Sequence, residues 1–410
     1  MTTTNGKPLN IQLLIAFISF MFIGMLPGIL NVAWKHMETT FGVELDSLGL
    51  LLGAITVGRL IATFANGYVI GNYGIGRVIL AAVLISMVGV FGYMTSPTFG
   101  ILLIAGLIVS FGNGIIDAGM NTFVSAYYGK GQLNFLHAFF GVGLTIGPLL
   151  VTFSIITLDG SWRLAYSAVL LVQVILLIAV VVTFRLWRMP EATIEYDEQG
   201  AVRKAATVRE SLMVPAVLLS MALFFVYGGI EVGAGQLSNS LFTESRGISE
   251  ETASFWISLY WASFTIGRIL TGIIGDRISN NSLMRLSIFG TIGGALFLSI
   301  QGASIFSFLG LALLGFALAP MFATLISDTP RRVGMRHVAN AIGFQIGFAG
   351  FGAAVLPGLA GIFASRIDLE IIGPFLLVNA VGLFFLHEFI MRREANLENR
   401  ANREKEMMNA

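Results

Sequence analysis

Long apolar runs, broken by short polar stretches, dominate this 410-residue chain. A helix needs about 20 predominantly apolar residues to cross the hydrocarbon core of a bilayer. Runs of that kind fall at 11–34, 47–71, 76–95, 98–127, 134–157 and 162–185, and again at 212–242, 252–275, 285–302, 305–327, 338–363 and 372–391. Several neighbours touch with almost no loop between them. The pattern predicts an all-α membrane protein, with twelve transmembrane helices in two pseudo-symmetric six-helix bundles.

One polar connection is long. Residues 186–211, RLWRMPEATIEYDEQGAVRKAATVRE, mix both charge signs and contain Pro190 and Gly200, which is linker chemistry. The expected domains are an N-terminal bundle over 1–185, a cytoplasmic linker over 186–211, a C-terminal bundle over 212–391 and a cytoplasmic tail over 392–410. Lysine and arginine set the orientation. With the N-terminus inside, one face gathers eighteen of the 24 basic residues, the other holds only Lys35, Arg163, Arg246 and Arg366, and Arg59 and Arg268 lie within spans. Both termini are therefore expected in the cytoplasm, with the chain in the plasma (inner) membrane. The opening stretch MTTTNGKPLN lacks a basic n-region and cleavage site, so the first run is expected to stay in the mature protein.

The two halves repeat one another. Gly58-Arg59 in the second run recurs as Gly267-Arg268 in the eighth, 209 residues later. Gly141, Gly143 and Pro148 in the fifth recur as Gly350, Gly352 and Pro357 in the eleventh at the same offset. Gly112 and the segment at Asn121 parallel Gly315 and the FATL segment at an offset of 203. A duplicated six-helix unit is the mark of transporters whose substrate site lies between repeats at the midplane. The Pro27-Gly28, Gly147-Pro148 and Pro357-Gly358 pairs predict kinks.

Composition narrows the chemistry. Only 11% of residues are charged and 56% are hydrophobic, against about 25% charged in soluble domains. The absence of cysteine excludes disulfides, iron–sulfur clusters and thiol chemistry, and a net charge of +1 argues against nucleic acid as a partner. The four histidines, His36, His137, His337 and His387, form no HExxH, and no P-loop or convincing Ser–His–Asp set accompanies them. The expectation is no enzyme, no cofactor and no metal site; the partners are protons, a small-molecule substrate and the lipid bilayer, and the chain is a monomer.

Polar residues inside the spans are the candidate chemistry, because a carboxylate in hydrocarbon costs roughly 2.5 kcal/mol or more. Asp117 leads, with Glu231 among the glycines of the seventh run as a second acid. Arg59 and Asp117 each lie thirteen residues before the expected inner ends of their helices, Asn72 and Lys130, so both sit about 20 Å deep. Two readings stay open: a pair poised for proton exchange, or a static ion pair that locks two helices. Sugar hydroxyls need donors, acceptors and an aromatic surface; Asn31, Asn121, Gln236, Asn239 and Gln345, with Trp256 and Trp261, supply them, and Asn113 lies one turn from Asp117. His137 and Arg268 near the inner face, with the Asp276-Arg277 pair, suit gating.

At this point the residues resemble the major facilitator superfamily. Its loop signature, Gly-x-x-x-Asp-Arg, stands intact as Gly272-Ile-Ile-Gly-Asp276-Arg277 and is degraded in the first half to Gly67-Tyr-Val-Ile-Gly71-Asn72. The chain is similar to the fucose–galactose–glucose proton symporter branch over DAGMNTF (Asp117 to Phe123), LNFLHAFFGVG (Leu133 to Gly143), YGGIEVGAGQ (Tyr227 to Gln236) and WASFTIGRILTGIIGD (Trp261 to Asp276). That resemblance implies proton coupling at Asp117 and sugar contact at Asn121. The branch's acid on the first helix has no counterpart, since Gly24 to Trp34 offers only Asn31 as a polar group. The expectation is proton-coupled symport of a small neutral polar solute, a sugar foremost, by alternating access. Proton-antiport efflux of amphipathic compounds is the alternative.

Overall fold

The computed structural model describes residues 11–43, 47–158, 160–188, 206–302 and 304–409, without the side chains of 156, 157 and 397–409. Most of the expected linker, 189–205, lies outside the described residues. The helices are α1 (Ile11–Phe41), α2 (Ser47–Tyr73), α3 (Ile75–Thr95), α4 (Phe99–Tyr127), α5 (Lys130–Thr152), α6 (Arg163–Val182), α7 (Val208–Leu212), α8 (Pro215–Ser240), α9 (Glu250–Ile274), α10 (Asn280–Ser299), α11 (Ser304–Leu318), α12 (Met321–Val333), α13 (Val338–Arg366) and α14 (Ile372–Asn409). Among the described residues twelve helical segments are long and apolar enough to cross a membrane. The tenth is broken: α11 and α12 are separated by a turn at Ala319-Pro320, where proline removes a backbone donor.

Helix ends differ from the apolar runs where local chemistry decides. The helix α1 continues through Lys35, His36 and Glu38 to Phe41 and stops at Gly42, whose φ is 63°, the left-handed position that ends many helices. The start of α5 comes four residues before the apolar run, at Lys130. Its first turn has a tertiary partner, described below, that hydropathy does not register. Pro27, Pro148 and Pro357 all lie inside helices.

The chain forms two compact units. The first holds residues 1–211, 268–277 and 323–347, and the second 212–267, 278–322 and 348–410. In the first, α1 packs on α5, α2 on α4, and α3 on α4 and α6; in the second, α10 packs on α11 and α14, and α8 on α14. Small residues make the tightest crossings, as expected where lipid tails remove the hydrophobic drive between helices. A Cβ on Gly143 of α5 would strike the Met21 carbonyl oxygen of α1, and one on Gly147 would come within 2.5 Å of the Met25 carbonyl oxygen.

The 209-residue repeat is a repeat of packing. In the second unit a Cβ on Gly352 would strike the Phe225 carbonyl oxygen of α8, the counterpart of Gly143 on α1. Gly58 lies against Leu107 and Ser110 of α4, and Gly267 against Phe316 and Ala319, so these partners too are 209 residues apart. The offset of 203 does not hold in packing: Gly112 faces Ala82 and Ser86 of α3, whereas Gly315 faces Tyr260 and Ser263 of α9. A six-residue shift turns a helix by about 240°, onto another face.

The described end of the linker is docked within the first unit. Thr207 N and Oγ1 donate to Glu210 Oε2 at 2.7 and 3.1 Å, and Glu210 N donates to Thr207 Oγ1 at 3.2 Å, a capping box for α7. Ala206 N donates to Arg336 O at 3.0 Å, and Asn340 Nδ2 donates to Ala206 O and Ser211 Oγ at 2.7 and 2.9 Å. Arg336 Nη2 reaches Glu210 Oε1 at 2.9 Å.

Two outcomes are expected. Gly143→Val should abolish the monodisperse peak on size-exclusion chromatography in detergent, because backbone cannot move aside at that crossing. Gly350→Ala, with nothing within 4 Å, should leave it intact. Separately, the bonds from Thr207, then Arg336, hold the Glu210 carboxyl below its ordinary range. The sign follows from linkage: this contribution to docking is complete above the unfolded value, about 4.3, and is lost as pH falls through the depressed one. Hydrogen exchange at Glu210 and Ser211 should show protection falling in acid, and Glu210→Gln should flatten that dependence.

Candidate functional site

Close approach of α2 and α4 builds the site. A Cβ on Gly114 would lie 2.8 Å from that of Ala62 and 3.2 Å from the Arg59 carbonyl oxygen. Successive helix residues point about 100° apart, so contact at Gly58 turns the next side chain, Arg59, off the seam. Its Nη2 donates to Asp117 Oδ2 at 2.6 Å. The Asp117 side chain is 6% exposed and that of Arg59 48%. Removing one partner of a buried pair costs about 3–5 kcal/mol, reduced here by the half-exposure of Arg59.

The pair lines a cavity of about 150 Å³. Its walls are Ile23, Leu26, Pro27 and Leu30 of α1, Leu52 and Ile55 of α2, Tyr93 of α3, Val109, Ser110, Asn113 and Gly114 of α4, Phe140 of α5 and Tyr166 of α6. The rings of Tyr93 and Tyr166 stack with centroids 4.8 Å apart. Apart from the ion pair, this surface is mainly aliphatic and aromatic.

Residues one turn to either side of Asp117 share its helix face and are already engaged. Asn121, wholly buried, donates from Nδ2 to Asp117 Oδ1 at 2.9 Å and to the Asp117 carbonyl at 3.0 Å. Its Oδ1 lies 3.2 Å from His137 Nε2; with Nδ2 committed to the carboxylate, Oδ1 accepts and the imidazole carries the proton on Nε2. The His137 ring meets Phe20 edge-on at 5.1 Å. Asn113 borders the cavity, but its Oδ1 accepts from Ser86 Oγ at 2.7 Å, which accepts from Gln173 Nε2 at 2.8 Å. Asn121 thus stands behind Asp117, outside the cavity lining, and Asn31 is exposed and likewise outside it.

A second polar cluster lies elsewhere in the first unit. Asp276 Oδ1 accepts from Gly131 N in the first turn of α5 at 3.1 Å, a carboxylate at a helix N-terminus. A Cβ on Gly131 would lie 2.8 Å from Asp276 Oδ2. Lys130, buried, interacts electrostatically with Asp276 and Asp328, and Arg332 Nη2 meets Asp328 Oδ2 at 3.0 Å. Arg277 is exposed on the same turn as Asp276, and Arg268, partly buried, acts through its charge on His137. Gln345 is buried and accepts from Thr329 Oγ1 at 3.0 Å.

The remaining candidates belong to the second unit. Glu231 is partly buried on α8, and its backbone carbonyl accepts from Tyr260 Oη at 2.7 Å. Trp256 sits between Phe242 and Phe308 at 5.4 and 5.7 Å. Trp261 packs on Tyr260 at 4.8 Å and over Gly235. Gln236 is exposed, and Asn239 Oδ1 is buried without a hydrogen bond.

Sequence reasoning missed Tyr93, Tyr166 and Phe140, which are ordinary span residues until helix packing gathers them. It missed Ser86 and Gln173 as well, although a glutamine in the middle of an apolar run was a usable signal. Ser86→Ala should cost about 1–3 kcal/mol, because the change strands buried groups on Asn113 and Gln173. Thermal unfolding in detergent measures this, and double replacement with Gln173→Leu should recover part of the loss.

Comparison with known proteins settles the family. The sequence profile of the Major Facilitator Superfamily matches residues 13–344 and 219–407. The chain is 23% identical to bypass of stop codon protein 6 of Saccharomyces cerevisiae, over 87% of this chain and 80% of that protein. It is 19% identical to the glucose/mannose transporter GlcP of Bacillus subtilis, over 75% of this chain and 77% of that one. Among solved structures it is similar to the fucose:proton symporter FucP of Escherichia coli, with a TM-score of 0.75, 13% identity and coverage of 94% of this chain and 99% of that one. The structural likeness agrees with the fold. The chain belongs to the Major Facilitator Superfamily: it is a multi-pass membrane transporter of small molecules, not an enzyme.

Proposed function

We propose that the chain is a proton-coupled symporter that moves a small polar solute of sugar size by alternating access, with Asp117 as the proton site. The Arg59–Asp117 bond on the cavity wall carries the reading. The charged carboxylate is paired with Arg59 and bonded to Asn121, so protonation breaks an ion pair at the place where solute enters. The names of FucP and GlcP support the sugar class. The distribution of basic residues supports an orientation with both termini in the cytoplasm. There the Asp276–Gly131 contact would form in one state of the cycle and break in the other. Glu231 is the second candidate acid.

The apolar wall favours one other reading, antiport efflux of amphipathic compounds, for which a single acid and a greasy cavity suffice. Proteoliposomes loaded with a pH dye and challenged from outside separate the two. Symport predicts solute-specific acidification of the lumen, reduced at least tenfold in Asp117→Asn. Dissipation of an imposed pH gradient by amphipathic cations, with no response to sugars or sugar acids, would instead establish efflux.

A further inference from the structure

The chemistry of the cavity wall narrows the solute class, and departs from the neutral solute that the sequence suggests. A guanidinium offers five N–H donors in a rigid fork. Arg59 gives one to Asp117 and makes no other hydrogen bond among the described residues; nearly half of its side chain is exposed, and it borders the cavity. The wall's other polar groups carry no charge: the phenols of Tyr93 and Tyr166 and the side chains of Asn113 and Ser110, with Tyr166 Oη buried without a hydrogen bond. Asn113 is bonded to Ser86, Ser110 Oγ donates to the Leu107 carbonyl at 3.1 Å, and Asn121 is buried behind Asp117.

Charge balance supplies the second argument. With Asp117 ionised, the pair is neutral. When Asp117 takes a proton from solvent, the bond from Arg59 loses its charge partner, and the guanidinium is left as an uncompensated cation beside aliphatic and aromatic walls. A neutral solute cannot compensate it; a carboxylate can, by accepting a forked pair of N–H bonds.

We propose that the transported solute carries a carboxylate, which takes the place of Asp117 on Arg59 once Asp117 is protonated. The Nη2–Oδ2 bond breaks, Asp117 gains one proton, and the solute's two carboxylate oxygens accept from Arg59. The site is then neutral both empty and fully loaded. Either half-loaded state, proton alone or anion alone, leaves one unpaired charge in a low-dielectric site and is the costly one to move. That difference enforces one proton per anion and makes transport electroneutral. The inference rests on Asp117 being the proton site. The titratable or charged groups facing it are Arg59 on α2, Tyr93 on α3, Tyr166 on α6 and, behind Asn121, His137 on α5, itself under the charge of Arg268; α1 contributes only apolar side chains to the cavity.

The test uses the full chain in lipid nanodiscs and calorimetry with two matched pairs: D-glucuronate against D-glucose, and cyclohexanecarboxylate against cyclohexylmethanol. The acids should bind at least tenfold tighter than their neutral partners. Their affinity should rise as pH falls from 8 to 6, with one proton taken up per anion across buffers of different ionisation heat. Arg59→Gln should lose at least tenfold in anion affinity and Arg59→Lys should keep part of it, while Asp117→Asn should bind anion without proton uptake. In proteoliposomes, glucuronate uptake should ignore a potential imposed with valinomycin. Equal binding of glucose and glucuronate, or full anion binding by Arg59→Gln, overturns the proposal. Asp117-dependent acidification with glucose alone overturns it but leaves the proton site standing. Anion binding without proton uptake in the wild type removes both.

Discussion

A charge in hydrocarbon must be paired, and the Arg59–Asp117 bond is where this molecule meets that demand. Much of the first unit serves it. Gly58 and Gly114 bring α2 and α4 close enough for the guanidinium to reach the carboxylate. Asn121 bonds the second carboxylate oxygen and, through its own oxygen, engages His137 on α5. Asn113 is held by a relay through Ser86 to Gln173, joining α4 to α3 and α6. Hydrogen bonds thus tie α2, α4 and α5 to one ion pair, and the relay joins α3 and α6 to α4, each bond worth more in this medium than in water.

The same demand shapes the proposed transport cycle. An ion pair is an economical proton site because its two protonation states differ by a whole unpaired charge. On the proposed reading that difference is the coupling device: the cavity admits a proton and an anion together because neither alone leaves the site neutral. The contact between Asp276 and the first turn of α5 answers a related demand: it satisfies a helix N-terminus with a carboxylate from another segment.

Duplication explains why so many glycines recur at fixed spacing. Gly143 and Gly352, like Gly58 and Gly267, occupy equivalent backbone crossings in their own units. The constraint is steric and therefore survives where surroundings diverge: Arg59 lies on the cavity, bonded to Asp117, while the position 209 residues on carries Arg268, outside the cavity lining. The misaligned pair at an offset of 203 shows the limit of matching glycines by sequence alone. Identity of residue says nothing of helix face, and six residues are not a whole number of turns.

What the chain alone determined was the set of spans, the repeat and the isolated charges, because membrane burial imposes a length and a polarity limit on each segment separately. Asp117 and Arg59 could be placed at one depth by counting residues along two helices. Their bond, however, was decided by rotation about the helix axes, which depends on how glycine seams mesh. Tertiary structure alone bonded Asn121 to Asp117 and Asn113 to Ser86, and gathered Tyr93, Phe140 and Tyr166 around the cavity. It also extended α5 back to Lys130, where Asp276 satisfies an amide that no nearby residue in the chain reaches. Hydropathy reports how much of a helix is apolar; which face a polar group presents, and to whom, is settled only when the neighbouring helix arrives.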